Sequence, residues 1–241
     1  MEADVTMVLP QLNGNPELNG KKAVVIDALR ATSTMVTALQ NKATEVIPVM
    51  EPAEVVDLVR NIGAEECVSG GERRGLRIDG FDLGNSPREY LEEKIGGKKV
   101  ILCTTNGTRA VKLAQGAAEV LIGCFLNLGA VVEYLKACDQ DTVFVCAGRG
   151  SHGLSLEDLV CAGGMIDRLK RAGLDLQLTD AAATALLAFQ KAARTGLAGF
   201  LRQTDNGRNL IAIGLEEDID ACAAVDSMPL LPRYVNGKVA V

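Results

Sequence analysis

The stretch "CTTNGTR" runs from Cys103 to Arg109 and lies between an apolar run and a helical pattern. A cysteine, five residues and an arginine are the layout of the loop in which cysteine phosphatases bind phosphate and attack it with a thiolate. However, Cys103 also completes the apolar run "VILC", and the loop has one glycine, which favours a buried structural thiol. The turn would then hold a phosphate at a helix N-terminus for other chemistry.

Polar segments that could bind anions or a cation follow four apolar runs. They are "DALRATST" from Asp27, "GERRG" from Gly71, "TTNGTR" from Thr104 and "RGSHGLSLED" from Arg149, with "GFDLGNSP" between the second and third. Their arginines, hydroxyls and backbone amides suit oxyanions. Their carboxylates suit a hard divalent cation such as Mg²⁺, which also binds substrate phosphate.

Each of these features also has a purely structural interpretation. Asp27 could cap the helix that follows it, and Asp158 could complement a helix dipole behind a Ser155 N-cap. Taken alone, the helix-terminus role is favoured for Asp158. The arginine pair could be a solvated surface feature, and His152 could be exposed without a role. The functional interpretation depends on convergence of these segments at one place.

Strand-like and helix-like patterns alternate along the chain, which predicts an α/β fold. We expect a three-layer α/β/α arrangement around a mostly parallel or mixed sheet, with a helix-rich C-terminal part. We expect one domain over residues 1–241, with a helix-rich subdomain from about residue 175 as the alternative. Because ligands bind outside the carboxyl ends of the strands in open α/β sheets, the polar segments should meet at one edge.

Several local patterns predict particular elements. In "NSPREYLEEK", Ser86 is expected to cap a helix, with Pro87 in its first turn and Glu89 completing a capping box. Residues 178–196 show a long apolar helical pattern. Near the end, Asn236-Gly237 between two short apolar runs predicts a hairpin with a type I′ turn.

Composition restricts the class of protein. The 241 residues carry 25 basic and 31 acidic side chains, so the net charge of -6 argues against a nucleic-acid partner. Seven cysteines without a C-x-x-C pair indicate reduced thiols and a cytoplasmic location. The single histidine excludes a His-rich zinc site. We expect no signal peptide and no membrane segment, since no apolar run approaches about 20 residues. A homodimer is the default oligomeric state.

Five motifs occur together in a recognisable order. They are "VVIDALRATST", "GGERRGLRIDGFDLGNSPREY", "TTNGTRAV", "CAGRG" with "SLEDLVCAG", and "GLEEDIDAC". With these motifs the chain resembles the 2-phosphosulfolactate phosphatase family over nearly its whole length. The resemblance implies an α/β fold and Mg²⁺-dependent hydrolysis of 2-phospho-3-sulfolactate to 3-sulfolactate and phosphate, a step of coenzyme M biosynthesis. In this resemblance the family signature is "TTNGT" and does not include the preceding cysteine. The resemblance therefore favours Mg²⁺-dependent hydrolysis and a Cys103 without a catalytic role.

Residues inside the matching motifs are carried over as site candidates. The catalytic candidates are Asp27, Glu157 and Asp158, and the candidate Mg²⁺ ligands are Asp27, Glu72 and Asp82. The substrate-binding candidates are Arg30, Arg73, Arg74, Thr105, Asn106, Gly107, Arg109 and Arg149. The metal and the arginines would neutralise charge on the phosphoryl group, and a carboxylate would orient the attacking water.

Alternatives remain open at this point. Asp27 could itself attack phosphorus, although "DALRATS" lacks the D-x-D-x-T pattern of haloacid-dehalogenase phosphatases. The substrate could be another small polyanionic phosphate ester, because an arginine-lined pocket fits many of them. The chain could also bind such a metabolite without catalysis, but a pure anion binder gains nothing from several carboxylates near its ligand.

Overall fold

The computed structural model describes residues 1–8, 18–150 and 153–241. Its strands are β1 (Glu2–Thr6), β2 (Lys22–Ile26), β3 (Glu45–Val49), β4 (Cys67–Arg73), β5 (Leu76–Arg77), β6 (Lys99–Cys103), β7 (Glu119–Gly123), β8 (Thr142–Cys146), β9 (Gln177–Leu178), β10 (Arg233–Val235) and β11 (Lys238–Ala240). Its α-helices are α1 (Ala31–Gln40), α2 (Pro52–Ile62), α3 (Glu92–Ile95), α4 (Gly107–Leu113), α5 (Leu128–Cys138), α6 (Leu156–Arg171), α7 (Asp180–Thr195), α8 (Leu197–Leu201), α9 (Asp205–Ala212) and α10 (Glu217–Cys222). Short 3₁₀ turns cover Pro87–Glu89, Ala114–Gly116 and Phe125–Asn127.

The strands form one 11-stranded mixed sheet in the order β5-β4-β6-β3-β11-β10-β7-β2-β8-β1-β9. One parallel set contains β4, β6 and β3. The other contains β7, β2, β8, β1 and β9. Within each set the carboxyl ends share an edge. The two sets run in opposite directions, because three antiparallel pairings separate β3 from β7, so the sheet lacks the single carboxyl edge that the sequence predicts.

The C-terminal hairpin joins these two parallel sets. Asn236 and Gly237 have φ angles of 52° and 85°, which confirms the predicted type I′ turn. Val239 of β11 pairs antiparallel with β3, and Arg233 of β10 pairs antiparallel with β7. The last strands of the chain thus fill the centre of the sheet.

Helices cover both faces of the sheet, so the predicted three layers are confirmed. In β2, Ala23 and Val25 pack into a core beneath α1 and α4. Their neighbours Val24 and Ile26 pack into a second core beneath α5, α6 and α7. This alternation follows from the two-residue period of a strand, and every residue of β2 is buried.

The C-terminal part is rich in helices, as predicted. The pattern over 178–196 corresponds to α7, whose N-cap Thr179 accepts a hydrogen bond from the Ala182 amide. Helix α7 packs closely on α6, since a Cβ added to Gly163 would lie 2.0 Å from the Ala185 carbonyl oxygen. In the described residues, no helix combines the length and apolarity needed to span a membrane. One domain over the whole chain stays a prediction.

Pro87 does begin a helical turn, as predicted, but the predicted continuous helix over "NSPREYLEEK" and its capping box are wrong. The segment forms the 3₁₀ turn at Pro87–Glu89 and the four-residue α3. Ser86 does not cap it, because its Oγ donates to the buried carboxylate of Asp218. Glu89 accepts a hydrogen bond from the Gly84 amide. Tertiary contacts therefore replace the local capping box.

Candidate functional site

A cavity of about 670 Å³ lies where carboxyl ends of strands from both parallel sets come together. The segments that follow β2, β4, β6 and β8 reach it, together with the N-terminus of α6 and one side of α9. Most of the predicted site residues line it: Asp27, Arg30, Glu72, Arg73, Arg74, Thr105, Asn106, Arg149, Glu157 and Asp158. The convergence expected from strand ends is therefore present.

Asp27 stands directly after β2 and borders the cavity. Its Oδ1 accepts a hydrogen bond of 3.2 Å from the amide of Ala31, the first residue of α1. Burial raises the pKa of Asp27 to about 7, against the lowering effect of this bond and with further raising by the charges of Glu72 and Glu157. Asp27 thus supports the helix start and also presents a carboxyl group with a raised pKa to the cavity.

Asp158 and Glu157 come from the first turn of α6, where Ser155 is the N-cap as predicted. Oδ1 of Asp158 accepts a 2.8 Å hydrogen bond from the Ala28 amide, the residue after Asp27. Burial, and then the charges of Asp27 and Glu157, raise the pKa of Asp158 well above its ordinary value. The start of α6 is therefore fixed beside the end of β2, which brings the three catalytic candidates together.

Glu72 holds two loops in place. Its Oε1 accepts from the amide of Thr105 and its Oε2 accepts from the amide of Gly75, both at 2.8 Å. Arg74 and Gly75 form the tight turn between β4 and β5, with φ angles of 56° and 83°. A glycine suits the second of these left-handed positions. Glu72 therefore links the β4–β5 turn to the loop after β6.

The arginines differ in what they contact. Arg30 is 3% exposed, and its guanidinium donates to Asp218 and to the Gly75 carbonyl. Arg73 donates to the carbonyls of Glu72 and Met50, which holds its guanidinium against the chain. Arg149 pairs with Asp205 of α9 at 2.6 Å and is half-exposed. Arg74 is exposed at the mouth of the cavity.

Cys103 is a buried core residue, as the apolar run suggested. It is fully buried with Val49, Ile101 and Phe81, and its thiol donates weakly to the Met50 carbonyl. Burial raises the pKa of the Cys103 thiol, although Arg73 opposes this. A protonated thiol outside the cavity lining cannot act as the nucleophile of a phosphatase loop.

Three predicted residues do not line the cavity. Asp82 lies elsewhere, because its Oδ2 accepts from both the amide and the hydroxyl of Ser69, at 2.9 and 2.6 Å. It is a loop-organising residue and not part of the carboxylate cluster. Gly107 begins α4 behind Asp27. Arg109, in the first turn of the same helix, is half-buried away from the lining.

Other residues complete the cavity without having been assigned. Asn85, from "GFDLGNSP", is 5% exposed, and its Oδ1 accepts no hydrogen bond within the described part of the chain. Asn206 of α9 donates to the Leu29 carbonyl, and Asn209 lines the same wall. The motif "GFDLGNSP" indicated Asn85. Nothing in the sequence indicated Asn206 or Asn209, because α9 does not follow the end of a strand. His152 lies outside the described residues.

The carboxylates that border the cavity are the candidate ligands of the predicted Mg²⁺. Among residues 1–8, 18–150 and 153–241, no group of three or more His, Cys, Asp or Glu side chains is arranged to hold a metal ion. Mg²⁺, however, usually keeps several waters and takes only one or two protein carboxylates together with substrate phosphate. The donor chemistry fits such a partial site, since the carboxylates of Asp27, Glu157 and Asp158 and the orphaned amide oxygen of Asn85 border one cavity.

Comparison with known proteins agrees with these observations. The family model described as 2-phosphosulpholactate phosphatase matches residues 8–237. A probable 2-phosphosulfolactate phosphatase of Thermotoga petrophila is 43% identical over 217 residues, which cover 90% of each chain. One of Clostridium acetobutylicum is 40% identical over 227 residues, which cover 92% of this chain and 93% of the relative. The chain therefore belongs to the 2-phosphosulfolactate phosphatase family, whose name describes phosphatases that act on a phosphate monoester.

Proposed function

We propose that this protein hydrolyses 2-phospho-3-sulfolactate to 3-sulfolactate and phosphate. The observation that carries the proposal is one cavity bordered by the carboxylates of Asp27, Glu157 and Asp158 and by the guanidinium-bearing residues Arg30, Arg74 and Arg149. Family membership adds the substrate named for the relatives. An anion binder without catalysis has no use for repelling carboxylates at its ligand, so the cluster favours an enzyme.

The shape of the substrate matches this distribution of charge. Phosphosulfolactate carries phosphate, sulfonate and carboxylate on three adjacent carbons, so it needs several strong hydrogen-bond donors. Arginines provide planar, charge-assisted donors for such groups. The Thr105–Asn106 turn adds a polar wall immediately before α4. We assign these residues to substrate binding.

We propose Mg²⁺ as the cofactor, held by Asp27 with Glu157 or Asp158. Mg²⁺ supplies charge neutralisation at the transferred phosphoryl group when it is bound. Glu72 supports the site through its two backbone hydrogen bonds and is assigned a positioning role. Asp82 is not assigned to the metal.

The chain's own carboxylates supply the acid–base chemistry. With Asp27 on the metal, whichever of Glu157 and Asp158 does not hold the metal is left to orient the attacking water and accept its proton. The hydrogen bond from the Ala28 amide holds Oδ1 of Asp158 in place. It thereby orients the second carboxylate oxygen, Oδ2. We favour direct attack by water over attack by Asp27. The stereochemical course at a chirally labelled phosphorus distinguishes them, because one in-line attack by water inverts the configuration whereas two successive displacements through an aspartyl-phosphate retain it.

The deciding experiment measures phosphate release from 2-phosphosulfolactate with Mg²⁺ and with excess EDTA. We expect hydrolysis that requires the metal. The matched substrate 2-phospholactate lacks only the sulfonate, and we expect it to react with a higher KM. Equal rates for both esters would indicate a less specific phosphatase. Binding of the substrate without phosphate release would indicate a metabolite-binding protein.

The finer biological predictions extend this proposal. We place the reaction in coenzyme M biosynthesis, because sulfolactate is its product. We propose a cytoplasmic enzyme on the basis of the seven cysteines, all of which are free thiols. A homodimer remains the default expectation for the oligomeric state.

A further inference from the structure

Asp218 is a fully buried carboxylate in the first turn of α10, outside the cavity lining. Its Oδ2 accepts a 2.7 Å hydrogen bond from Nη1 of Arg30, and its Oδ1 accepts a 2.6 Å hydrogen bond from the Ser86 hydroxyl. A buried carboxylate is costly unless it is paired and hydrogen-bonded. Both oxygens of Asp218 meet this condition, so its position is well defined.

The partner of Asp218 is an arginine that borders the cavity. Arg30 is 3% exposed, and its second terminal nitrogen, Nη2, donates to the Gly75 carbonyl at 2.7 Å. Two bonds from the two terminal nitrogens fix both the position and the plane of the guanidinium. Because a guanidinium has five N–H donors, others remain for an anion in the cavity.

Three separate parts of the chain meet at this guanidinium. Arg30 follows β2, Gly75 lies in the β4–β5 turn, and Asp218 belongs to α10 near the C-terminus. An arginine loses much rotamer freedom when it is fixed in one geometry. When the protein fixes it before the ligand arrives, less entropy is lost on binding and the affinity rises.

We propose that Asp218 is a positioning residue, which orients the Arg30 guanidinium so that it binds an anionic group of the substrate. The inference rests on the proposed function, since it requires an anionic substrate in the cavity. Asp218 itself does not border the cavity and acts through Arg30. The simpler alternative is an ion pair that only attaches α10 to the rest of the protein.

The test is a double-mutant cycle of Arg30→Ala and Asp218→Asn, with KM and kcat measured for 2-phosphosulfolactate. Each single variant should raise KM about 10-fold to 100-fold, as expected for a lost charge-assisted hydrogen bond. The change in kcat should be much smaller, because the arginine binds substrate and transition state alike. The double variant should resemble Arg30→Ala alone. Independent effects that multiply would overturn the inference.

Chemical rescue distinguishes a positioning role of Asp218 from a purely structural ion pair. Free guanidinium ion should lower the KM of Arg30→Ala, because the site that held the side chain is still formed by Asp218. It should not lower the KM of the double variant. The matched control is Glu217→Gln, the adjacent acid, which is exposed and pairs with Arg88. This control should keep the wild-type KM, and equal rescue of both arginine variants would overturn the inference.

Folding and the proposed function are checked separately. If Asp218→Asn does not fold, Asp218→Glu keeps the charge but moves the carboxylate, and a wild-type KM in that variant would overturn the inference. If wild-type protein hydrolyses no phosphate ester, the proposed function fails. The same cycle is then measured as calorimetric binding of inorganic phosphate. Wild-type affinity in the Asp218 variant would overturn the positioning role, whereas non-additive losses would support it.

Discussion

Gly107 lies so close to the carboxylate of Asp27 that no side chain fits between them, although the two residues belong to segments that follow β6 and β2. A Cβ atom added to Gly107 would lie 2.7 Å from Oδ2 of Asp27 and 2.5 Å from Cβ of Ala31. The start of α4 therefore approaches the strand-end carboxylate at a distance that only a glycine permits.

We expect Gly107→Ala to lower kcat/KM at least about tenfold, because Asp27, Ala31 or α4 must shift by up to about 1 Å. Alanine favours a helix more than glycine does, so helix propensity does not explain a loss. The control is Gly199→Ala in α8, where an added Cβ meets nothing within 4 Å. Steady-state kinetics of the two variants check this, and equal activities would show that the contact has no functional consequence.

Asp27 and Asp82, two of the predicted Mg²⁺ ligands, should respond differently to substitution. Asp27→Asn should reduce kcat by at least about a hundredfold while the protein stays folded, because it removes a carboxylate from the cavity. Asp82→Ala should instead lower the stability by about 1–3 kcal/mol through loss of the hydrogen bonds from Ser69, with kcat largely kept. Thermal unfolding and initial rates measured on both variants test this. A large loss of kcat in folded Asp82→Ala would return Asp82 to the site.

Replacing the buried thiol should leave catalysis intact. Cys103→Ala removes a side chain that donates to the Met50 carbonyl and packs against Ile101. We expect a lower melting temperature, because the substitution leaves a small cavity, and a kcat within about twofold of wild type. Initial rates and a melting curve are sufficient. A loss of kcat of about a thousandfold or more would identify Cys103 as the nucleophile after all.

Acid should weaken a charged cluster at the amino ends of β2 and β7, where Lys22 and Glu119 lie. Burial raises the pKa of Glu119, but hydrogen bonds from Lys22, Tyr134 and Arg233 outweigh it and leave the pKa below its ordinary value. A carboxyl group with a lowered folded-state pKa stabilises the protein above its unfolded-state pKa, about 4.3, and this contribution is lost as the pH falls through the lower value.

The corresponding variant is Glu119→Gln, which keeps the shape but cannot ionise. Its melting temperature should be below that of wild type at pH 7, and the difference should shrink as the pH falls below about 4. Melting curves over this pH range provide the measurement. A constant difference down to acid pH would mean that packing, and not the charge of Glu119, accounts for the effect.

Much of the site could be predicted because ligand sites of α/β folds are built from polar residues that follow buried strands. Asp27, Glu72, Thr105 and Arg149 each follow a different apolar run, and all of them border the cavity. Side-chain direction was less predictable. Asp82 lies in the same motif as Asn85, yet Asp82 bonds to Ser69 while Asn85 borders the cavity. Local sequence does not determine which neighbour a loop side chain meets.

The sequence by itself determined the alternation of strands and helices, the Asn236-Gly237 turn and the family, because these depend on local periodicity, turn chemistry and ordered motifs. Only the tertiary structure placed the last hairpin at the centre of the sheet. It also showed that the Ser86 hydroxyl donates to Asp218 and does not cap a helix, and that Asp218 pairs with Arg30. These contacts join residues far apart in the chain. Their geometry depends on how whole elements pack, and short-range patterns carry no record of it.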